Sequence, residues 1–145
     1  MYDNCKIVSA FPGTGKTYYT NGDYVPQGFA LDSDSSSFSK HELFPFNYVD
    51  HIKEKFEAKE HKIIFVSTHK LIREAMSREG LPFTLVYPMR GLRHEYIKRY
   101  YDRGSAPEFI DLLNKNWDAW LADLEGQENC LHIVLGKGEF ISNKM

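Results

Sequence analysis

The sequence has 145 residues, of which 42% are hydrophobic and 26% are charged, and its formal net charge is −2. This length suits one buried core, so we expect a single domain over residues 1–145. The near-neutral charge gives no support for bulk electrostatic binding to nucleic acid. No stretch approaches the roughly 18 apolar residues of a membrane span, and the first residues lack the apolar segment of a signal peptide. We therefore expect a cytoplasmic protein with no membrane partner.

Five apolar runs alternate with helical patterns, an order typical of a parallel sheet that is covered on both faces. The predicted strands span residues 6–9, 28–31, 62–67, 83–87 and 130–135. The third run contains Ile-Ile-Phe-Val without interruption, as expected of a strand buried on both faces. The two cysteines, Cys5 and Cys130, each stand beside such a run, and we predict that both are free thiols in a reducing compartment.

Four helices are predicted between these strands, over residues 45–59, 69–79, 91–101 and from a capping box at 105–108 onward. Gly80 is predicted to end the second helix, and Gly104 to end the third. The fourth helix carries an apolar stripe that we interpret as core, formed by Phe109, Ile110, Leu113, Trp117, Trp120, Leu121 and Leu124.

The first predicted strand leads into Phe-Pro-Gly-Thr-Gly-Lys-Thr, residues 11–17, which has the pattern of a phosphate-binding loop. The glycines let backbone N–H groups turn inward around a phosphate chain, and the following helix start adds the positive end of its dipole. Lys16 can reach the β- and γ-phosphates, and the Thr17 hydroxyl can ligate Mg²⁺. The alternative is a chance turn at a helix start, and Ala10 stands where the full pattern has its first glycine. We predict ATP or another nucleoside triphosphate, with Mg²⁺, as the cofactor, bound by Pro12, Gly13, Thr14, Gly15, Lys16 and Thr17.

The second predicted strand ends in Leu-Asp-Ser-Asp, so two carboxylates follow it at the carboxyl edge of the sheet. Ligands bind outside this edge in such folds. We predict Asp32 on the metal side and Asp34 on the acceptor side, where Asp34 accepts a proton from, or orients, the attacking hydroxyl. The alternative is a solvated turn, because Asp and Ser side chains bond their own backbone in loops.

The third predicted strand ends in Val-Ser-Thr-His, without the aspartate that many phosphate-loop proteins place near here. Ser67 or Thr68 could take that role weakly, although the favoured interpretation of Thr68 is a cap on the following helix. His69 could contact the substrate or be a surface residue at a helix start.

Residues 90–103 contain five basic residues against two acids. Arg99 and Arg103 share one face of a helix, and arginines over phosphates neutralise the charge that develops in phosphoryl transfer. Arg90 could hold the phosphate or carboxylate of an acceptor, and Arg93 belongs to the same candidate surface. The alternative for the whole run is a solvated basic helix face.

The order of these parts resembles the nucleotide and small-metabolite kinases of the P-loop superfamily. The Leu-Asp-Ser-Asp step is similar to the acid pair of shikimate-kinase-like and adenylylsulfate-kinase-like enzymes, in which the second acid binds the acceptor hydroxyl, and Asp34 is the matching position. The arginine-rich lid of that family corresponds to the region of Arg93, Arg99 and Arg103. Over about residues 5–142 the chain looks like small nucleotide-kinase-like proteins of tailed bacteriophages, which share its Phe-Pro-Gly-Thr-Gly-Lys loop and its Val-Ser-Thr-His strand end. The resemblance implies a three-layer α/β P-loop NTPase fold with a five-stranded, mainly parallel sheet, and residence in the host cytoplasm.

Three functions are compatible with these residues. The first is an ATP- and Mg²⁺-dependent kinase that acts on a nucleoside, a nucleotide or a similar small acceptor. The second is a nucleotide-binding module with little catalysis, such as a sensor, a sequestering protein or a host-interaction protein, which the missing carboxylate on the third strand favours. The third is a kinase of polynucleotide ends or DNA bases, which the basic run and its tyrosines suggest but the overall charge does not.

Overall fold

The computed structural model describes residues 5–16, 19, 28–33 and 46–144. In these parts of the chain, five strands form one parallel sheet in the order β2-β3-β1-β4-β5. They are β1 (Lys6–Ala10), β2 (Ala30–Asp32), β3 (Ile63–Val66), β4 (Thr84–Pro88) and β5 (Leu131–Leu135). All five predicted strands are confirmed, with ends that shift by one or two residues.

Besides the helix start at Lys16, the helices over the described residues are α1 (Phe46–Ala58), α2 (Lys70–Arg78), α3 (Arg93–Asp102), α4 (Pro107–Glu125) and a short α5 (Ile141–Lys144). A 3₁₀ turn (Arg90–Leu92) precedes α3. The first four were predicted. Gly80 and Gly104, with φ of 71° and 78°, follow α2 and α3 as expected of helix ends in the left-handed region.

Two predicted helix caps are wrong. The N-cap of α4 is Ala106, and Ser105 instead belongs to the end of α3, because its backbone N–H bonds the Tyr100 carbonyl at 2.9 Å. The Ser105 hydroxyl accepts a hydrogen bond from Nε of Arg103 and does not cap α4. Likewise His69, and not Thr68, occupies the N-cap position of α2, where no side chain makes a capping bond.

The sheet is buried on both faces because its strands alternate apolar residues toward each side. On one face, Ile7, Ile64 and Leu85 pack in a core with the apolar sides of α1, α2, α3 and α4. On the other face, Val8 and Phe65 belong to a second core. Its other buried residues are Ala10, Tyr19, Ala30, Ile63, Val86, Leu135 and Ile141. The three layers predicted for the fold are therefore present.

The apolar stripe of α4 is core, with one exception. Ile110, Leu113, Trp117, Leu121 and Leu124 are buried, and Phe109 is half-buried against the same core. Trp120 is 39% exposed, so the prediction that it is core is wrong. Its position is one step off the buried stripe, between Trp117 and Leu121, where the helix turns it outward.

No helix in the described ranges combines the length and the apolar character that a membrane crossing requires. Cys5 is buried and Cys130 half-buried, and both are free thiols.

Candidate phosphate-binding site

The predicted phosphate loop directly follows β1, at the carboxyl edge of the sheet. Its first residue, Phe11, is tied to the neighbouring strand by a hydrogen bond from its N–H to the Val86 carbonyl at 2.9 Å. The chain then turns through Gly13 and Gly15, whose φ angles of 87° and 92° lie in the left-handed region that favours glycine. Lys16 is the first helical residue after the turn. Strand, glycine turn and helix start thus occur in the order that the motif requires.

The carbonyl oxygens of the loop accept hydrogen bonds from residues outside the loop. The Pro12 carbonyl accepts a hydrogen bond from the Tyr100 hydroxyl at 2.8 Å. The Gly13 carbonyl accepts one from Nη1 of Arg99, also at 2.8 Å. Both donors belong to α3, so this helix supports two successive peptide groups of the loop.

The next two carbonyls are also hydrogen-bonded, one to the start of α5 and one within the helical turn that follows the loop. The Thr14 carbonyl accepts from the Ile141 N–H at 2.9 Å, and the Gly15 carbonyl accepts from the Tyr19 N–H at 2.9 Å. The Thr14 hydroxyl, which is buried, closes the turn by donating to the Phe11 carbonyl at 2.7 Å.

This arrangement fixes the direction of the loop's N–H groups. In a trans peptide the C=O and N–H groups point in opposite directions, so four carbonyls held outward turn the N–H groups of residues 13–16 toward the opposite, concave side. The Thr14 N–H donates a long hydrogen bond to the Phe11 carbonyl at 3.4 Å, which helps to close the turn. Successive inward N–H groups at a helix start bind anions, and phosphate above all.

The two glycines are also required by close packing. A Cβ on Gly13 would lie 2.8 Å from Cε1 of Tyr100 and 3.2 Å from Cδ2 of Tyr96. A Cβ on Gly15 would lie 3.0 Å from Cδ1 of Phe140. The loop is therefore enclosed on its outer side by α3 and by the segment between β5 and α5.

That segment, residues 136–140, is the β5–α5 connector and was not predicted to belong to the site. Its Gly138 N–H bonds the carboxylate of Glu95 at 3.1 and 3.2 Å, which ties it to α3. Its Gly136 N–H bonds Oε1 of Glu139 at 2.6 Å, and this bond lowers the pKa of Glu139. The sequence did contain a signal, since Gly136 and Gly138 flank a turn directly after the last strand, at the ligand-binding edge.

Aromatic rings fill the space between the loop and α4. Phe11 and Trp117 meet edge to face with centroids 5.7 Å apart, and Tyr96 lies 5.6 Å from the same Trp117 ring. Trp117 also donates from Nε1 to the Arg90 carbonyl at 2.8 Å. Burial raises the pKa of Tyr96 to about 12 and raises that of Tyr100 as well, so both phenols keep their protons at neutral pH. The Tyr100 hydroxyl therefore stays available as the donor to the loop.

Asp32 is the last residue of β2 and is paired in register with Phe65 of β3. The strand order places it two strands from β1, about 10 Å across the sheet, so it does not share the loop's own phosphate contacts. By strand alternation its side chain points to the same face as Ala30, the face on which Tyr19 packs against Phe65 with centroids 5.7 Å apart. Asp32 thus lies on the side of the sheet that carries the helix start at Lys16.

Of the residues predicted to act as the acid pair or as metal ligands, the structure describes Asp32. Thr17 and Asp34 lie outside the described residues. Within the residues that the structure describes, no three His, Cys, Asp or Glu side chains cluster to hold a metal ion. The Mg²⁺ roles expected of Thr17 and Asp32 stay predictions.

Arg99 is the one arginine of the basic run that the structure brings to the loop. The others contact different groups: Arg90 is paired with Glu125 at 2.6 Å and Arg93 with Asp118 at 2.8 Å, both on α4. Arg103 lies over the rings of Tyr100 and Phe109, at 5.1 and 5.7 Å, and donates to Ser105. His69 is exposed at the start of α2. The substrate roles expected of these residues stay predictions.

No model of a protein family and no curated protein sequence matches this chain. Among solved structures, it is similar to the tunicamycin resistance protein of Deinococcus radiodurans, with a TM-score of 0.60 and 13% identity over 97% of this chain and 91% of that one. A protein from Eubacterium ventriosum matches with a TM-score of 0.48 and 13% identity, over 98% and 94% of the two chains. At 13% identity, the likeness to the first of these shows the fold alone. Together with the strand order and the loop geometry, the first likeness confirms the predicted α/β P-loop fold with its five-stranded parallel sheet.

Proposed function

We propose that this protein is an ATP- and Mg²⁺-dependent phosphotransferase that acts on a nucleoside, a nucleotide or a similar small acceptor. The observation that carries the proposal is the outward anchoring of four successive carbonyls, those of residues 12–15. It turns the N–H side of these peptides away from the anchoring groups, toward the side where the β- and γ-phosphates would lie. The anchoring restricts the loop before any ligand binds, which lowers the cost of ordering it around an anion.

Each residue in the proposed mechanism has a separate task. The loop N–H groups and Lys16 would hold the β- and γ-phosphates. Asp32 and Thr17 would hold Mg²⁺, which would supply positive charge to offset that of the phosphates. Asp34 accepts the proton of the acceptor hydroxyl, whose oxygen bonds to the γ-phosphorus as the bond to the bridging oxygen breaks and ADP departs with that electron pair. The roles of Thr17 and Asp34 rest on the sequence alone.

Binding and turnover test the proposal separately. We expect Mg²⁺-ATP to bind in calorimetry and to raise the unfolding temperature, because it binds the folded state alone. Lys16→Met should weaken binding at least about tenfold, since a hydrogen-bonded charged contact contributes about 1.5–3 kcal/mol. Lys115→Met, which removes an exposed lysine on the outer side of α4, is the matched control and should bind as the wild type does.

Turnover is measured as ADP release from ATP with a panel of nucleosides, nucleotides and sugars. We expect at least one acceptor to stimulate release, and Asp34→Asn to lower it by about 10²-fold or more, as loss of a general base does. The kinase proposal is wrong if no acceptor stimulates release and Asp34→Asn changes nothing.

A second candidate function is nucleotide binding with little catalysis. It is favoured by the end of β3, where Val66 is followed by Ser67, Thr68 and His69 and no carboxylate stands at the edge of the strand next to β1. Tight ATP binding that Lys16→Met abolishes, without turnover on any acceptor, would select this function.

A further inference from the structure

Arg99 makes a set of contacts that a residue acting directly on substrate would not need. Its side chain is only 14% exposed. Nη1 donates to the Gly13 carbonyl at 2.8 Å, while Nη2 donates to the Glu139 carbonyl at 2.9 Å and to Oε2 of Glu95 at 2.8 Å. One guanidinium thus joins the phosphate loop, α3 and the β5–α5 connector.

Two aromatic rings also contact the guanidinium. Its central carbon lies 4.3 Å from the ring centroid of Tyr96 and 3.9 Å from that of Phe140. Two cation–π contacts together with these hydrogen bonds hold the planar group in one position. Because Glu95 neutralises its charge at close range, Arg99 offers an approaching phosphate little unpaired positive charge.

We propose, on the basis of the proposed function, that Arg99 is a positioning residue that holds the phosphate loop in its anion-binding shape before any ligand arrives. It acts on the peptide between Gly13 and Thr14. Glycine tolerates both signs of φ, so this peptide can rotate when its carbonyl is not held. Rotation would break the bond from the Thr14 N–H to the Phe11 carbonyl and turn the Gly13 carbonyl oxygen toward the bound phosphate. Arg99 prevents this rotation, and the β5–α5 connector and α3 together form a fixed clamp behind the loop.

The experiment compares Arg99→Met and Arg99→Lys with Lys98→Met. Lys98 is the adjacent residue on α3 and forms an exposed ion pair with Asp102, so its loss removes the same charge without touching the loop. Three quantities are measured: hydrogen exchange of the amides of residues 13–16 without ligand, affinity for Mg²⁺-ATP and for inorganic tripolyphosphate, and the unfolding temperature.

For Arg99→Met we expect faster exchange of the loop amides in the ligand-free protein, with unchanged exchange in β1 and β3. We also expect the affinities for ATP and tripolyphosphate to fall by the same factor, about tenfold, since both ligands use the loop. Arg99→Lys should show intermediate loop exchange and intermediate affinities. Its ammonium can reach the Gly13 carbonyl but cannot also donate to the Glu139 carbonyl as the guanidinium does. Lys98→Met should match the wild type throughout.

Other results overturn the positioning role. Unchanged loop exchange with weakened affinity would mean that Arg99 contacts phosphate directly. Faster exchange throughout the sheet with a lower unfolding temperature would mean that it only supports the fold. If Arg99→Met does not fold, Glu95→Gln loosens the same clamp by weakening the bond to Nη2, and unchanged loop exchange in that variant counts against the proposal. If the wild type binds neither ligand, the proposed function fails, while the exchange data still decide whether Arg99 sets the shape of the loop.

Discussion

The phenols of Tyr96 and Tyr100 lie against the phosphate loop, and both are fully buried. Burial is the main cause that raises their pKa values, and for Tyr96 the value reaches about 12. In the unfolded chain a tyrosine ionises near pH 10. A pKa raised by folding means that stability is complete below the unfolded pKa and is lost as pH rises through the folded pKa.

We therefore predict that the free energy of unfolding falls steeply above pH 10. Tyr96 alone accounts for about 3 kcal/mol between about pH 10 and pH 12, because each pKa unit corresponds to about 1.4 kcal/mol. Tyr96→Phe should lower this slope, whereas Tyr101→Phe, which changes a side chain that is 67% exposed, should not. Urea unfolding at a series of pH values measures both slopes, and equal slopes for the two variants would contradict the prediction.

At the scale of elements, a buried arginine joins three parts of the fold. Arg73 of α2 is 4% exposed, and its Nε donates to the Thr68 carbonyl at 2.8 Å, just past the end of β3. Its Nη1 donates to Oε1 of Gln127 at 2.6 Å, and its Nη2 pairs with Asp123 near the end of α4. Since every donor nitrogen has an acceptor, the side chain fastens α2 and α4 to each other and to the sheet.

We predict that Arg73→Met destabilises the protein by about 1–3 kcal/mol, because it removes the hydrogen bonds that this buried side chain donates to Thr68, Gln127 and Asp123. Arg78→Met is the control on the same helix. Arg78 is exposed and its ring contact with Phe46 is 5.6 Å long, so the loss should stay below about 1 kcal/mol. Chemical denaturation of both variants checks the difference, and a similar loss in the two would show that Arg73 does not connect the elements.

Over the whole molecule, the basic residues of the run 90–99 are matched by carboxylates. The pairs are Arg90 with Glu125, Arg93 with Asp118, Lys98 with Asp102 and Arg99 with Glu95. Each exposed pair contributes little to stability, but together they cancel the positive field that a polynucleotide would need. With a net charge of −2, this arrangement does not favour a kinase of polynucleotide ends or DNA bases.

We predict that binding of a single-stranded oligonucleotide is weaker than about 100 μM at about 0.15 M salt. Changing Asp118 and Glu125 to lysine should uncover the basic residues and produce binding that falls steeply with salt, since neutralised phosphates release counterions. Fluorescence anisotropy over a salt series measures both. Micromolar, strongly salt-dependent binding by the wild type would restore the polynucleotide alternative.

The sequence predicted the elements well because their signals are local. Apolar runs marked the strands, glycines at 80 and 104 marked helix ends, and the glycine turn after β1 marked the loop. It failed at Ser105, where a cap pattern was overridden by a bond to the preceding helix, and at Trp120, one position off the buried stripe. Burial and capping depend on neighbours that the pattern does not contain.

The sequence by itself determined the α/β class, the order of the elements and the position of the phosphate loop, because periodicity and turn chemistry act over a few residues. Only the tertiary structure decided what surrounds the loop. The bond from Arg99 to Gly13 joins residues 86 positions apart, and the bond from Tyr100 to Pro12 joins residues 88 apart. Such contacts depend on how α3 packs against the loop and against the ring of Trp117. The sequence predicts that Arg99 acts on the substrate. In the structure, Arg99 lies against the carbonyl side of the loop.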